Sequence, residues 1–433
     1  MADPTSRLLG TYRLATALAH PLARPLLGWR LRRGKEDPER TGERYGIASL
    51  ERPSGTLLWV HAASVGETVC VLPLIERLMA ERDVSCLLTT ATVTSARVAA
   101  AHARPHLIHQ YVPLDAPRFI RRFLDHWKPD VALFAESELW PNMIVETAER
   151  GARLGLVNAR LSPRSFTRWQ RRAPAMIRQL LTRFDVCVAQ SEGDGDRLKA
   201  LGAPDVHCSG NLKFDVPAPG ADEAGLALLG EALGDRPRWA AVSTHPGEED
   251  LVFSAHAALA KRHAGLVTVI APRHPARAGD IAQQATQAGL TAARRSLAGG
   301  PPPDCDLFIV DTIGELGLVF RLAPACLVGG SLIAHGGQNP IEPAKLDSAI
   351  LHGPHVTNFA DVYAELDAHG GARRVDNEED LGIALDDLLS DDQARGAMTA
   401  AARAVIAGFG GALERTVTAV TPLFDTARAK EAT

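Results

Sequence analysis

Short apolar runs of strand length recur along this chain, and nearly every one is followed by a segment with helical periodicity. In the first half they cover residues 57–60, 84–90, 130–135, 154–158, 185–189 and 206–209; in the second, 239–243, 266–271, 307–310, 325–328 and 349–352. Such alternation leaves few choices. Each βαβ step makes a parallel pair with a right-handed crossover, so the chain is confined to doubly wound α/β sheets. At 433 residues it exceeds one ordinary core, and the Pro/Gly-rich stretch 216–220 is the natural linker between two such sheets. The expected organisation is an N-terminal segment over 1–35, a Rossmann-like domain over 36–215 and a second over 216–433. The last helices could pack back on the first domain. Two such halves would face each other across a cleft lined by strand ends.

Charge sets the N-terminal segment apart. Residues 1–35 carry seven basic side chains (Arg7, Arg13, Arg24, Arg30, Arg32, Arg33, Lys35) against Asp3, a net of +6, which leaves −10 for the remainder of a chain whose total is −4. A basic arm on an acidic body points to an anionic partner, membrane surface or nucleic acid. The arm is also apolar, with Leu8, Leu9, Tyr12, Leu18, Leu22, Leu26, Leu27 and Trp29. Its longest uncharged stretch, residues 14–23, is short of the roughly 20 apolar residues that a bilayer span needs. A segment lying in the membrane interface fits this pattern, and so does a helix packed on the body of the protein. The six cysteines have no CxxC spacing and sit mostly in apolar runs, which reads as buried free thiols rather than disulfides or a zinc site.

The unusual polar clusters fall at the carboxyl ends of the expected strands. They are 61–67, 136–142, 158–162 and 210–215 in the first half, and 243–249, 272–275, 311–316 and 329–342 in the second. Ligands of open α/β sheets bind in the crevice beyond those ends. Glu67 opens the helix that follows the first strand, where the helix dipole favours an ionised carboxylate. That placement suits a general base, although on position alone improving the helix start is the simpler role. Ser64 and Gly66 would shape the loop that presents it. Glu136 and Glu138 are paired carboxylates suited to acid/base work or to orienting a sugar, or to capping. Trp140-Pro-Asn142 would shape the turn. Arg273 offers bidentate donors to a phosphate or carboxylate, and His245 and Lys213 could add charge to the same pocket. Gly314 and Glu315 lie in a strand-to-helix turn whose amides suit a phosphate or a base edge. The glycine-rich stretch 329–342 lets backbone approach a ligand closely, and Glu342 could accept hydrogen bonds from ribose hydroxyls. Neither a Walker A loop nor a GxGxxG fingerprint is present, which weakens ATPase and dehydrogenase readings. No clustered His/Cys/Asp set or DxD tripeptide offers itself to a cation, so a metal-independent reaction is expected.

Taken in order, these motifs resemble the 3-deoxy-D-manno-octulosonic acid (Kdo) transferases of lipopolysaccharide biosynthesis. The resemblance runs through Arg30-Leu-Arg-Arg-Gly-Lys-Glu, His61-Ala-Ala-Ser-Val-Gly-Glu67, Glu136-Ser-Glu-Leu-Trp-Pro-Asn142, Asn158-Ala-Arg-Leu-Ser162, Gly210-Asn-Leu-Lys-Phe-Asp215, Ser243-Thr-His-Pro-Gly-Glu-Glu249, Ala271-Pro-Arg-His-Pro275, Asp311-Thr-Ile-Gly-Glu-Leu316 and Gly336-Gly-Gln-Asn-Pro-Ile-Glu-Pro343. It implies the GT-B fold and transfer of Kdo from CMP-Kdo to the tetraacyl lipid A precursor, with inversion, at the cytoplasmic face of the inner membrane. No cofactor is implied beyond the donor, and no nucleic-acid partner. Carried over by position, Glu67 matches the general base, Glu136 a second acidic residue at the reacting centre and Lys213 a charge stabiliser. Pro272 and Arg273, Ile313, Gly314 and Glu315, and Asn339, Pro340, Ile341 and Glu342 match the CMP-binding segments. The chain departs from the pattern at Gln338, where His is usual and which cannot carry charge, and at Val310, where Gly is common. The competing readings are a GT-B enzyme using a UDP-sugar, and a non-catalytic membrane-bound adaptor that keeps the nucleotide fold.

Overall fold

The computed structural model describes residues 6–431, with side chains through Asp425; Asp3 and the rest of the first five residues of the N-terminal segment lie outside the described residues. The chain divides into two compact units. The first runs to Val216 and takes back the segment from Gly410; the second is Pro217–Phe409.

The first unit holds seven parallel strands: β1 (Leu57–His61), β2 (Ser85–Thr90), β3 (Leu107–Tyr111), β4 (Val131–Ala135), β5 (Arg153–Ala159), β6 (Val186–Ala189) and β7 (Val206–Cys208), in the order β3-β2-β1-β4-β5-β6-β7. The central strands are near-continuous apolar runs because helices cover both faces of the sheet. Their side chains alternate between two cores. Leu57, Trp59, Ala132, Phe134, Leu154 and Leu156 point into one, while Leu58, Val60, Val131, Leu133, Ala135 and Val157 point into the other. The last helix, Ala412–Glu431, belongs to the second of these cores through Ala412, Val417, Val420, Leu423 and Phe424. Its N-terminus is capped by Asp215, which accepts hydrogen bonds from the amides of Gly411 (2.7 Å) and Leu413 (2.6 Å). Residues 392–425 are apolar enough over one window to cross a membrane by composition. They are interrupted at Phe409–Gly411, however, and each side sends residues into the interior, Ala402 and Ile406 before the break and Val417 and Val420 after it.

The second unit repeats the architecture with β8 (Arg238–Thr244), β9 (Val267–Pro272), β10 (Ala292–Arg294), β11 (Leu307–Ile309), β12 (Ala325–Val328), β13 (Ala349–His352) and β14 (Ala372–Arg374), all parallel, in the order β10-β11-β9-β8-β12-β13-β14. Strands β3, β10 and β14 are short or half-exposed edge elements that the apolar runs do not announce.

The N-terminal arm forms two helices, Arg7–Ala19 and Ala23–Arg32, joined at His20–Leu22. One face is fixed to the body. Leu9 is fully buried in the first core, Tyr12 donates to Asp115 (2.9 Å), the Asn142 amide donates to Thr16 (3.0 Å), and Arg13 pairs with Glu146 (2.7 Å). The other face leaves Leu14, Leu18, Leu22, Leu26 and Trp29 exposed. Packing on the body and an open apolar row therefore coexist on the same two helices.

Candidate active site

In each sheet the strand order reverses once, between β1 and β4 in the first unit and between β8 and β12 in the second. Such switch points open a crevice beyond the strand ends. The loops after these four strands carry Glu67, Glu136, His245 and Asn339, so four of the eight polar clusters flank the switch points.

Glu67 enters the helix Val65–Glu81, whose N-cap is Ser64. One carboxylate oxygen accepts from the Ser64 hydroxyl (2.7 Å) and the other from the Ala63 amide (2.8 Å), while the Glu67 amide donates back to Ser64 Oγ (3.3 Å). The helix-start role is thus real, and it also fixes the carboxylate's orientation. Burial pushes the Glu67 carboxyl above its ordinary range, helped by the negative charges of Glu138 and Glu136 and opposed by the two hydrogen bonds. Gly66 has open space where a Cβ would stand and no positive φ, so the loop shape does not require glycine there, contrary to the expectation from sequence.

Glu136 follows β4 in a left-handed conformation, φ +50°, and pairs with Lys213 at 2.9 Å. Lys213 lies on a short turn that is tied down from below. The Leu212 amide donates to the Asn158 side chain (3.0 Å) and the Lys213 amide to Asn211 (3.0 Å). Asn158 is fully buried at φ +49° and also donates to Cys70 Sγ (3.2 Å). Glu138 is held by His61 (3.3 Å) and by the Trp140 indole (2.5 Å). Burial alone would raise the Glu138 carboxyl, but these two donors outweigh it and hold it below the ordinary range. Glu67 therefore feels the charges of both Glu138 and Glu136, and Glu136 in turn is paired with Lys213.

In the second unit Pro272 ends β9 in the interior, and Arg273 projects into solvent with no ion pair among the described residues. Arg277, four residues on, is bidentate on buried Glu249 (2.7 and 3.0 Å). Lys213, expected to add charge to the same pocket, pairs with Glu136 within the first unit. His245 does not add charge. Its ring stacks on His335 at 3.7 Å and meets the Gln338 amide at 3.1 Å. Burial and the neighbouring His335, His274 and Arg273 push its pKa down to about 4. Gln338, the departure from the family pattern, thus faces this neutral histidine.

Ile313 is 71% exposed on the turn after β11, beside Gly314 at φ +91°. The carboxylates flanking that turn are already paired, Asp311 with Arg294 (2.7 Å) and Glu315 with Arg295 (3.1 Å). What the turn offers a ligand is therefore backbone and an apolar side chain rather than free charge. Asn339 receives the Ile341 amide (3.0 Å) and donates to Glu342 (3.2 Å), and Pro340 precedes the short helix Ile341–Lys345. Burial raises the Glu342 carboxyl, opposed by Asn339 and Lys345.

The group that organises this side lies in the 243–249 cluster, without a role that its sequence position assigns. Glu248 is fully buried, and its carboxylate accepts four backbone amides: His245 (2.9 Å), Gly330 (2.7 Å), Ser331 (3.1 Å) and Leu332 (3.1 Å). It fastens the loop after β8 to the loop after β12. Gly329 adds a close approach, since a Cβ there would stand 2.7 Å from the Ser243 carbonyl oxygen. The adjacent glutamates at 248 and 249 are the one signal for it, and they do not distinguish the clamp from the Arg277 partner. Among the described residues no group of three His, Cys, Asp or Glu side chains is placed to hold a metal ion.

Two doubly wound parallel sheets in one chain, each with its polar groups at the switch point, define the GT-B class of glycosyltransferase fold. A glycosyltransferase from Rickettsia africae has the same fold, with TM-score 0.58 at 10% identity over 86% of this chain and 99% of that one. Residues 39–216 match the model of a family described as 3-deoxy-D-manno-octulosonic-acid transferase (kdotransferase). The 3-deoxy-D-manno-octulosonic acid transferase of Bordetella pertussis is 37% identical over 87% of this chain and 90% of its own length. That of Rickettsia bellii is 32% identical over 90% and 92%. The chain belongs to the 3-deoxy-D-manno-octulosonic acid transferase family and is a glycosyltransferase.

Proposed function

We propose that the protein transfers Kdo from CMP-Kdo to the lipid A precursor, with inversion and with Glu67 as general base. The observation that carries the base assignment is the Glu67 carboxylate itself. It is oriented by two hydrogen bonds and pushed up in pKa by burial and two nearby carboxylates. A sugar hydroxyl is a weak nucleophile, and a positioned base contributes about 10²–10⁴-fold. Glu67 takes the hydroxyl proton as that oxygen bonds to the anomeric carbon of Kdo, and CMP departs with the electron pair of the broken bond. Glu136 and Lys213 act at the same centre. Lys213 offsets the charge that gathers there, and Glu136 holds it in place.

The second unit binds the donor. Arg273, exposed and without an ion pair among the described residues, serves the CMP phosphate with its planar donors. The turn Ile313-Gly314-Glu315 receives the base, with Ile313 against its face, and Glu342 receives the ribose hydroxyls from a position set by Asn339. The leaving group is a phosphate monoester, for which cationic and amide stabilisation suffice, and we take the reaction to be metal-independent. The exposed leucines and free arginines of the N-terminal helices rest on the anionic cytoplasmic leaflet, which brings the enzyme to its lipid acceptor.

The test is incubation with CMP-Kdo and tetraacyl lipid A precursor, read by mass spectrometry, which also counts the sugars added. Glu67→Gln should lower product formation by about 10²–10⁴-fold while CMP still raises the thermal midpoint. Undiminished transfer by Glu67→Gln would remove the base assignment, and stabilisation by UDP in preference to CMP would remove the donor assignment.

A further inference from the structure

Beside the N-terminal helices lies a surface cavity of ≈ 470 Å³, bounded by the His20–Leu22 corner, the Thr41–Tyr45 turn and the helix Pro117–Trp127. Three arginines line it, Arg24, Arg118 and Arg122, and no carboxylate does. None of the three forms an ion pair among the described residues; Arg118 lies 3.3 Å from His20 Nε2, and Arg122 donates to the Tyr45 carbonyl (3.2 Å). Like charges gathered without a counter-ion repel, so the arrangement is favoured when an anion fills it. The walls are apolar: Phe119 packs edge-on against Tyr45 at 5.5 Å, and Ile47 is half-exposed at the rim. Leu22 and Leu26, both exposed, continue that rim along the N-terminal helices.

From this geometry we infer that the cavity is a binding site for the phosphate headgroup of a single anionic membrane lipid, its acyl chains running over Leu22, Leu26 and Ile47. The ligand chemistry is a phosphate ester carried on an apolar body. Arginine suits it because the guanidinium pairs with phosphate oxygens two at a time. The inference deepens the membrane-facing reading of the N-terminal helices and rests on it. It replaces a diffuse charge attraction by a defined pocket that includes residues from well outside the N-terminal segment.

The experiment is co-sedimentation of the full chain with vesicles of phosphatidylcholine, alone or doped with phosphatidylglycerol. Arg118→Glu/Arg122→Glu should weaken binding to the doped vesicles by about tenfold or more, as expected for removing basic groups from an anionic surface. Arg164→Glu/Arg168→Glu, an equal charge change on exposed arginines that do not line the cavity, should weaken it far less. Equal losses in the two variants would overturn the pocket and leave only general electrostatics. Arg24→Glu is the second probe should the double variant fold poorly, and it should also lose binding. Two further arms separate other anions. Release of the vesicles when phosphate replaces chloride at matched ionic strength would assign the cavity to free phosphate. A raised KM for the lipid A precursor in neutral detergent micelles would assign it to the acceptor. Either result would overturn the headgroup site. Kdo transfer by the unaltered protein is measured separately, so loss of that activity reading does not decide the vesicle result.

Discussion

Replacing Glu248 by Gln is the sharpest test of how the donor side is built. The wild-type carboxylate satisfies four backbone donors with two oxygens, His245 and Gly330 on one and Ser331 and Leu332 on the other. A glutamine keeps one accepting oxygen and turns an NH2 group toward the other pair, so two buried amides lose their acceptor. Each orphaned donor costs about 1–3 kcal/mol, which gives about 2–6 kcal/mol for the pair. In a unit of this size one kcal/mol shifts the midpoint by about 2–4 °C, so a fall of at least ~4 °C is expected for the second unit. Urea unfolding followed by the fluorescence of Trp239, which is fully buried at the start of β8, reads that unit. Under conditions where the variant is still folded, CMP affinity should also fall, because the freed loop carries the chain into Asn339 and Glu342. A loss below about 1 kcal/mol would show that the four contacts do not bear on stability, and unchanged CMP affinity would show that the clamp does not position the donor site.

The general base sets a pH dependence with a definite sign. Activity needs ionised Glu67, so kcat/KM should fall as pH drops through a pKa above the ordinary glutamate range. Glu138→Gln removes a negative neighbour and should move that acid limb to lower pH; an unchanged or upward-shifted limb in the pH–rate profile would refute the coupling. Asn158→Ala forces alanine into the left-handed region and strips the Leu212 amide of its acceptor, a loss of about 2–5 kcal/mol in chemical denaturation. Transfer activity should decline with it, since Lys213 sits on the freed turn; full activity with intact stability would contradict this. His245, with its folded pKa near 4, should appear neutral at pH 7 in NMR titration. Because the unfolded chain binds that proton more readily, its contribution to stability is present above the ordinary histidine range and is lost as pH falls toward 4. A titration midpoint near 6.5 would count against burial and the neighbouring cationic groups as the cause.

Much of the architecture was legible because the central strands are buried on both faces and read as apolar runs. Leu57–His61 and Val131–Ala135 are the clearest cases, and both border the switch point. The edge strands were not legible, since Leu107–Tyr111 and Ala372–Arg374 expose side chains and mix charge into short segments. At the site, motif order brought out Glu67, Glu136 and Lys213 together, and an ion pair across 77 positions of sequence is invisible to periodicity. The error over His245 has a plain origin. A basic residue in a polar cluster was counted as available charge, whereas burial and its cationic neighbours keep it neutral. Glu248 and His61 lie in the polar clusters but drew no role of their own, because the backbone amides and the Glu138 carboxylate that they meet are distant in sequence or carry no side-chain pattern.

The positions of backbone strain explain how apolar strands can deliver polar side chains. Along β4, Leu133, Phe134 and Ala135 alternate between the two cores. Regular continuation would drive the Glu136 carboxylate into the core that holds Phe134, where an unpaired charge is prohibitive. A left-handed residue at that point, costing about 1–2 kcal/mol, turns the side chain off the sheet face and onto Lys213. In β5 the pairing with β6 slips between Leu156 and Ala159, so Asn158 projects to the same side as Val157 and reaches Cys70 rather than alternating away from it. The bulge re-aims one side chain, as bulges beside active sites do. Ser243 repeats the device at the end of β8, with φ +55° and a register shift between Val242 and Thr244. Of the six non-glycine residues with positive φ among those described, these three stand at strand carboxyl ends that carry proposed site residues or the loops holding them. Substituting glycine at Glu136 or Ser243 would relieve the backbone cost. Any resulting gain in stability, set against a loss of transfer at Glu136 alone, would separate strain that aims a reacting group from strain that only shapes a turn.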